Sequence, residues 1–361
     1  MPRILIIDTY YPEFLTDLYR KEPDLSTLAY DQQINRIFAK CFGVSDAYST
    51  GLRAAGAEAQ EVICNADVLQ SQWAQEHDVE PFANIHDRRR QIVAAQINHY
   101  RPDILLVFEW CPLGDAFLAD MKKTVRFLVG QIASPLPPKR TFAAYDGMIS
   151  FWPPLLYYFR RRGIKTERMN LAFDSRILSR LPFAQPKYDV SFVGGFASNH
   201  TERISWLEDL LAEVPIHIFG YGLEQTVADS PIRRQHHGEA WGLSMYEILH
   251  NSRITLNYHA RIDVEGESPA NIAGNMRMYE ATGVGTCLLT EWKENLGEIF
   301  EPGRDITTFE NSREGIEKIK YFLTHDEERK KIALAGQTRT LRDHTYSVRM
   351  RELLDLFNRH I

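Results

Sequence analysis

Short apolar runs alternate with amphipathic stretches along nearly the whole chain, and this alternation restricts its possible folds more than any other feature. The runs are continuous and rich in Ile, Val, Leu and Phe, which is typical of strands buried on both faces of a parallel sheet. In the first half they are Arg3–Asp8, Ala59–Cys64, Asp103–Glu109, Val125–Gln131, Met148–Trp152 and Arg168–Ala172. Between them, Asp31–Cys41 and Asp87–His99 have the periodicity of amphipathic helices. We therefore expect an α/β fold with a parallel sheet.

The second half repeats the alternation, beginning with a strand at Asp189–Val193 that ends in Gly194-Gly195. Further strands are predicted at Ile216–Phe219, Ile254–Asn257, Thr286–Thr290 and Asp305–Phe309, with helices between and after them. The Pro-rich stretch Leu181–Pro186 is the best linker candidate. Because a domain averages about 150 residues, the length suggests two domains.

Charge and cysteine usage exclude several classes of protein. Lys and Arg number 42 against 48 Asp and Glu, a net charge of −6, so nucleic-acid binding is not expected. Cys41, Cys64, Cys111 and Cys287 are widely spaced and form no metal-ligand motif, which predicts buried thiols in a reducing compartment and no metal site. No apolar run approaches a signal sequence or the ~20 residues of a membrane helix, so a cytoplasmic protein is expected.

The turns that follow the first strand of each half differ in glycine content. The segment Asp8–Pro12 has no glycine, so the fingerprint of dinucleotide binding is missing and an NAD-dependent dehydrogenase is disfavoured. Gly194 and Gly195 stand between a strand and a helix, where a phosphate could approach the helix N-terminus. A tight turn without a ligand is the more common reason for such a pair.

Arg277 and Glu280 lie three residues apart in a predicted helix and therefore share one face. The guanidinium could bind phosphate oxygens, and the carboxylate could accept hydrogen bonds from both hydroxyls of a sugar diol. From the spacing alone, a surface salt bridge is favoured by about two to one. Gly283 and Gly285 would let this helix approach the next strand closely.

The segments Asn275–Thr290 and Leu296–Gly303 together resemble the C-terminal donor domain of GT-B glycosyltransferases. The nearest group is the bacterial CgeB/YkvP-type, glycosyltransferase family 1-like proteins. Asp189–Gly195, Thr255–Asn257 and the tail from Ile332 onward support the resemblance. It implies an α/β GT-B architecture, with two Rossmann-like domains facing each other across a cleft. It also implies a nucleotide-sugar substrate, such as a UDP-, GDP- or dTDP-sugar, and neither a cofactor nor a bound metal.

The resemblance assigns roles to individual residues of the second half. It places Glu280 at the nucleotide ribose, Arg277 near the diphosphate, and Gly194 and Gly195 facing the donor. The remaining predicted donor-binding residues are Asn257, His259, Asn275 and Tyr279, although a lone histidine is more often structural. Retaining relatives often carry a second Glu eight residues before the first, and here that position is Ile272. An Asn271/Asn275 pair could substitute, so the stereochemistry stays open.

The resemblance also sets domain limits and asks for a general base. We expect an acceptor domain at 1–175, a donor domain at 176–346 and a last helix at 347–361 that packs back on the acceptor domain. An inverting enzyme would need a base at the carboxyl end of a strand in the acceptor domain. Glu109 is the first candidate and Asp8 the second, although acidic residues at strand ends commonly cap the following helix.

One segment bears on partners. The aromatic stretch Phe151–Phe159 runs into Arg160–Arg162 and could contact an anionic membrane face, but a buried helix with a cationic last turn is favoured by about four to one. We therefore expect a glycosyltransferase acting on an unidentified acceptor. The alternatives are a nucleotide-sugar epimerase or hydrolase of the same fold, and a non-catalytic binding or surface-layer protein. Nothing in the sequence indicates the oligomeric state.

Overall fold

The computed structural model describes residues 1–80, 82–109, 111–183, 186–196, 201–260, 264, 266–267 and 271–360, with Thr201 described by its backbone alone. The described residues form two compact units. The first comprises those of Met1–Asn170, Asp263–Pro269 and Ser347–Ile361, and the second those of Leu171–Ile262 and Ala270–Tyr346. This division falls five residues before the limit expected from the sequence, and before the Pro-rich stretch.

A six-stranded parallel sheet in the order β2-β1-β3-β4-β5-β6 forms the centre of the first unit. Its strands are β1 (Arg3–Asp8), β2 (Glu58–Ile63), β3 (Ile104–Phe108), β4 (Phe127–Gln131), β5 (Gly147–Ser150) and β6 (Lys165–Arg168). Its helices are α1 (Pro12–Lys21), α2 (Tyr30–Phe38), α3 (Ala47–Ala54), α4 (Asp67–Glu76), α5 (Ile85–Tyr100), α6 (Asp115–Met121) and α7 (Pro153–Arg160). Strand β3 is buried along its whole length, as its uninterrupted apolar sequence predicts.

A second parallel sheet, in the order β11-β10-β9-β7-β8, forms the centre of the second unit. Its strands are β7 (Tyr188–Val193), β8 (His217–Phe219), β9 (Ser252–Asn257), β10 (Cys287–Glu291) and β11 (Thr307–Phe309). The helices are α8 (Thr201–Leu211), α9 (Pro231–Arg234), α10 (Gly242–His250), α11 (Met276–Gly283), α12 (Leu296–Ile299), α13 (Ser312–Thr324) and α14 (Asp326–Asp343). The last helix, α15 (Tyr346–Asn358), lies almost wholly in the first unit.

The strand predicted at Arg168–Ala172 is wrong, because β6 ends at the residue where that prediction begins. Strand β6 is the edge of its sheet and consists of exposed and half-buried polar residues, so no apolar run marks it. The apolar Ala172 and Phe173 instead enter the core of the second unit, where the Phe173 backbone amide donates to the carbonyl of His344. Among the described residues, no helix is both long and apolar enough to cross a membrane.

Candidate functional site

Three neighbouring strands of the second sheet end side by side. Strands β10, β9 and β7 are adjacent and parallel, so the residues after Thr290, Asn257 and Val193 lie along one edge of the sheet. In open parallel sheets, ligands bind outside this carboxyl edge. Helix α11, which connects β9 to β10, carries Arg277 and Glu280 to the same edge, since the Arg277 Nε donates to the carbonyl of Val193 at 3.2 Å.

Arg277 and Glu280 form a buried ion pair, not a surface salt bridge. The Arg277 Nη1 lies 2.7 Å from the Glu280 Oε2, and the two side chains are 14% and 8% exposed. The same Nη1 contacts the Met245 sulfur at 3.1 Å, whereas Nη2 donates no hydrogen bond to any group in the described part of the chain. The guanidinium therefore keeps a donor that a ligand can use.

The carboxyl group of Glu280 is buried and accepts few hydrogen bonds. Burial raises its pKa above the ordinary value, and the positive charge of Arg277 and a long 3.5 Å contact from the Tyr246 hydroxyl oppose that rise only in part. A buried carboxylate with so few donors gains from any ligand that brings hydroxyl groups. A vicinal diol supplies two of them.

Gly194 and Gly195 follow β7 directly, and the turn is held by an arginine that sequence reasoning missed. Arg203, in the first turns of α8, is 7% exposed and donates to the carbonyls of Gly195 at 2.8 Å and Tyr258 at 2.7 Å. Burial lowers its pKa to about 10, and its Nε makes no hydrogen bond to any of the described residues. The only signal in the sequence is an arginine eight residues after a Gly-Gly turn, and such a residue is usually exposed.

The predicted polar residues at the ends of β9 and α11 form one connected network. The Asn257 Nδ2 donates to the Thr290 hydroxyl at 2.8 Å, and its Oδ1 accepts from the Asn275 Nδ2 at 2.7 Å. His259 Nε2 lies 3.1 Å from the Thr290 hydroxyl. Burial lowers the pKa of His259 to about 3, so this ring is neutral and cannot offer a positive charge to a phosphate. The Asn275 Oδ1, by contrast, is buried, has no hydrogen-bond partner in the part of the chain that the structure describes, and could accept from a ligand.

Tyr279 lies on the same helix but in a different environment. It is 1% exposed, and its ring packs against Phe300 and His344 at centroid distances of 5.8 and 5.5 Å. These contacts anchor α11 in the core. A direct contact between Tyr279 and the donor stays a prediction.

Gly283 is the last residue of α11 and Gly285 lies just after it, and their surroundings differ from the close approach to the next strand that the sequence suggests. A Cβ on Gly283 would lie 2.4 Å from the ring of Phe173, so this glycine admits a core phenylalanine rather than the next strand. Gly285 has a φ of +83°, a conformation that favours glycine, and it ends the turn into β10.

The two candidates for the general base lie at strand ends of the first unit, as expected. Glu109, whose side chain is fully buried, forms an ion pair with Arg140 at 3.1 Å and accepts a hydrogen bond from the Tyr145 hydroxyl. Burial raises its pKa. Asp8 is 4% exposed and accepts from the Thr9 backbone amide at 2.7 Å. Neither role is tested by the geometry of one unit, and both stay predictions.

The aromatic-basic segment of the first unit is mostly packed. Helix α7 buries Leu155, Leu156 and Phe159, while Tyr157 is 53% exposed. The Arg162 guanidinium lies 3.5 Å from the centre of the Tyr158 ring. No group of three or more metal-ligating side chains occurs within the described ranges.

Comparisons with known proteins bear on the second unit. Residues 203–355 match the family described as glycosyl transferase-like, and this range contains α11 and the strands β9 and β10. The sequence prediction of a glycosyltransferase domain in the second half is thereby confirmed. No curated protein sequence matches the chain.

Solved structures resemble the chain over nearly its whole length. A sucrose-phosphate synthase from Thermosynechococcus elongatus matches with a TM-score of 0.59 and 12% identity, covering 99% of both chains. A glycosyltransferase from Rickettsia africae matches with a TM-score of 0.60 and 11% identity, covering 99% of this chain and 98% of the other. Anabaena Alr3699/HepE in complex with UDP-glucose also matches with a TM-score of 0.60 and 11% identity, covering 99% of this chain and 100% of the other. The predicted GT-B fold class, with two Rossmann-like domains, is confirmed.

Proposed function

We propose that the protein transfers a sugar from a nucleotide-sugar donor, without a bound metal, to an acceptor that remains to be identified. The observation that carries this proposal is the buried Arg277–Glu280 pair at the carboxyl edge of the second sheet, inside the range matched by the glycosyl transferase-like family. Glu280 would accept hydrogen bonds from the two ribose hydroxyls, and Arg277 would donate to the diphosphate.

Other residues at this edge fit the same ligand. Gly194 and Gly195 directly follow Val193, whose carbonyl accepts from Arg277, and their backbone would face the diphosphate beside the guanidinium. The positive charges of Arg277 and Arg203, together with the N-terminus of α11, would stabilise the departing diphosphate in place of a metal. The buried, unpartnered Asn275 Oδ1 would accept a hydroxyl of the sugar.

A uracil nucleotide is the first donor to test. Anabaena Alr3699/HepE, one of the structures that this chain resembles, was solved with UDP-glucose and with UDP. GDP- and dTDP-sugars are the alternatives. We further propose that the protein belongs to the CgeB/YkvP type and acts in the cytoplasm. The acceptor would be a glycan, a lipid-linked saccharide, a protein or a small molecule, and a lipid-linked one would bring the protein to the inner membrane face.

Thermal unfolding in the presence of UDP, GDP or dTDP tests the donor site, because a ligand that binds the folded state raises the melting temperature. We expect one nucleotide to stabilise the wild type, and Glu280→Ala and Arg277→Ala each to weaken its binding by about 10- to 100-fold, the loss expected for a charged hydrogen bond. Glu301→Ala is the matched control, because Glu301 forms an exposed ion pair with Arg304, also at i,i+3 spacing.

Two results would contradict the donor site. In one, no nucleotide stabilises the wild type. In the other, Glu280→Ala and Arg277→Ala respond to the nucleotide as strongly as Glu301→Ala. Incubation of the matching nucleotide-sugar without an acceptor then separates the reactions, since rapid release of the nucleotide would indicate a hydrolase instead of a transferase. Addition of EDTA should leave both binding and turnover unchanged if no metal takes part.

A further inference from the structure

A polar cavity of about 210 Å³ lies in the first unit, whereas the site described above lies in the second. It is enclosed by β1, β2 and helices α2 to α5. Its walls combine aromatic and carboxyl side chains, among them Tyr30, Asp46, Glu61, Trp73, Gln96 and His99. A single water needs about 10–15 Å³ of such space, so the cavity has room for more than a few isolated waters.

Gln96 gives the first indication of a ligand. Its side chain lines the cavity and is 4% exposed, yet neither amide atom makes a hydrogen bond of ordinary length and angle. Burial raises the pKa of the nearby Tyr30 hydroxyl, and the Gln96 amide lies near enough to oppose that rise in part. An unsatisfied amide buried in a protein costs about 1–3 kcal/mol, and a bound molecule with a donor and an acceptor would remove that cost.

Glu61 gives an independent indication. It is 6% exposed, and its Oε1 accepts a hydrogen bond from the Ser49 backbone amide at 2.7 Å. Burial and the negative charges of Asp8 and Asp46 raise its pKa well above the ordinary value. Arg53 also lines the cavity, but its two terminal nitrogens already donate to the Ala59 carbonyl and the Thr50 hydroxyl. The wall therefore offers acidic groups and acceptors that no cation of the cavity balances, and a bound cation would favour the ionised form of Glu61.

We propose that this cavity binds a small organic amine that also carries hydroxyl groups, with the size of a single sugar ring. The ammonium group would pair with Glu61, and a hydroxyl would both donate to and accept from the Gln96 amide. The aromatic rings of Tyr30 and Trp73 would contact its apolar face. The cavity lies in the first unit and the Arg277–Glu280 pair in the second, so the two sites are tested with separate ligands.

Glucosamine and glucose are matched probes, because they differ only in the amino group that replaces one hydroxyl. At pH 6.5, calorimetric titration of the full-length protein should show glucosamine binding at least tenfold tighter than glucose. Glu61→Gln, which keeps the shape but removes the charge, and Gln96→Leu should each weaken glucosamine binding at least tenfold. Gln72→Leu is the control, since the Gln72 side chain lies outside the cavity and bonds Glu76. All three variants should keep the nucleotide response of the wild type.

The proposal is overturned if wild-type protein binds neither sugar at 50 mM, because the cavity would then hold only water. It is overturned equally if both sugars bind with the same affinity, because the amino group would then contribute nothing. It is also overturned if both cavity variants bind glucosamine as the wild type does. Should one variant fail to fold, the wild-type comparison of the two sugars still decides. A lost nucleotide response with normal glucosamine binding would count against the donor site alone.

Discussion

Each unit buries one glutamate against one arginine near a carboxyl edge of its sheet. In the first unit the pair is Glu109 with Arg140, and in the second it is Glu280 with Arg277. Burial raises the pKa of both glutamates, and both arginines are at least four-fifths buried. By burial and charge alone the two pairs are almost indistinguishable.

The pairs differ in the number of protein groups that bind them. Glu109 also accepts a hydrogen bond from the Tyr145 hydroxyl, and Arg140 bridges to Asp115 at 2.7 Å, although the Glu109 Oε2 makes no hydrogen bond within the described chain. Glu280 has only a 3.5 Å contact from Tyr246 beside its arginine, and the Arg277 Nη2 donates to nothing in the described chain. The additional partners tie the first pair into its fold, whereas the second pair, which we call the open pair, keeps an Arg277 donor that a ligand can use.

Removing Glu109 should give the largest effect on stability. Glu109→Ala leaves a buried guanidinium and a buried hydroxyl without their common partner, and we expect a loss of about 3 kcal/mol in the free energy of unfolding, measured in urea. Asp120→Ala removes an exposed ion pair with Lys123 in the same unit and should change the free energy by less than about 0.5 kcal/mol.

The same residue also tests the general-base prediction. If Glu109→Gln unfolds at the wild-type urea concentration but loses sugar transfer while Asp8→Asn retains it, then Glu109 is a catalytic base and the first pair is not merely structural. If Asp8→Asn alone loses transfer, the second candidate is the base.

The tightly packed turn at Gly195, beside the open pair, should give the next largest effect on stability and nucleotide binding. A Cβ on Gly195 would lie 2.6 Å from the Tyr221 ring, which stacks on Trp241 at 5.1 Å. Gly195→Ala should therefore cost about 1–3 kcal/mol and weaken nucleotide binding, because the turn that faces Arg277 must shift. Gly297→Ala is the matched control, since a Cβ there meets nothing within 4 Å. Equal urea midpoints for the two variants would show that the turn is not tightly packed.

Hydrophobic patterning predicted most of the fold. Continuous apolar runs correctly predicted β1, β3 and β9, because strands that are buried on both faces consist mainly of consecutive apolar residues. The same criterion failed at β6, where an edge strand is made of Lys165, Thr166, Glu167 and Arg168. The apolar residues just after this strand, Ala172 and Phe173, are explained by their burial in the core of the second unit.

The candidate site was predictable only where spacing carries the information. Arg277 and Glu280 are three residues apart, so their contact follows from helix geometry. That the pair is buried does not follow, and neither does the enclosure of Arg203, because both depend on packing against β7 and its following turn. Gln96 could not be foreseen at all, since a glutamine on an amphipathic helix is normally exposed.

The pH dependence of donor binding should distinguish the two glutamates, because only Glu280 is expected to contact the donor. UDP-glucose is a suitable ligand because its phosphates, both esterified, do not titrate near neutrality. As the pH falls through the raised pKa of Glu280, the carboxylate gains a proton and loses acceptor strength, so the affinity for UDP-glucose should fall, beginning above pH 4.5. Glu280→Gln should bind more weakly at neutral pH and show a flatter profile, whereas Glu109→Gln should follow the wild type.

Stability of the ligand-free protein should change in the opposite direction. A carboxyl whose pKa is raised in the folded state binds more protons folded than unfolded between pH 4.5 and that raised value, so its contribution to stability falls as the pH rises through this window. The slope is at most about 1.4 kcal/mol per pH unit for one group. In urea titrations at several pH values, Glu280→Gln and Glu109→Gln should each remove one group's contribution to the fall of the free energy of unfolding with rising pH. A Glu109→Gln variant that also flattened the UDP-glucose profile would show that both pairs, and not only the open one, respond to the donor.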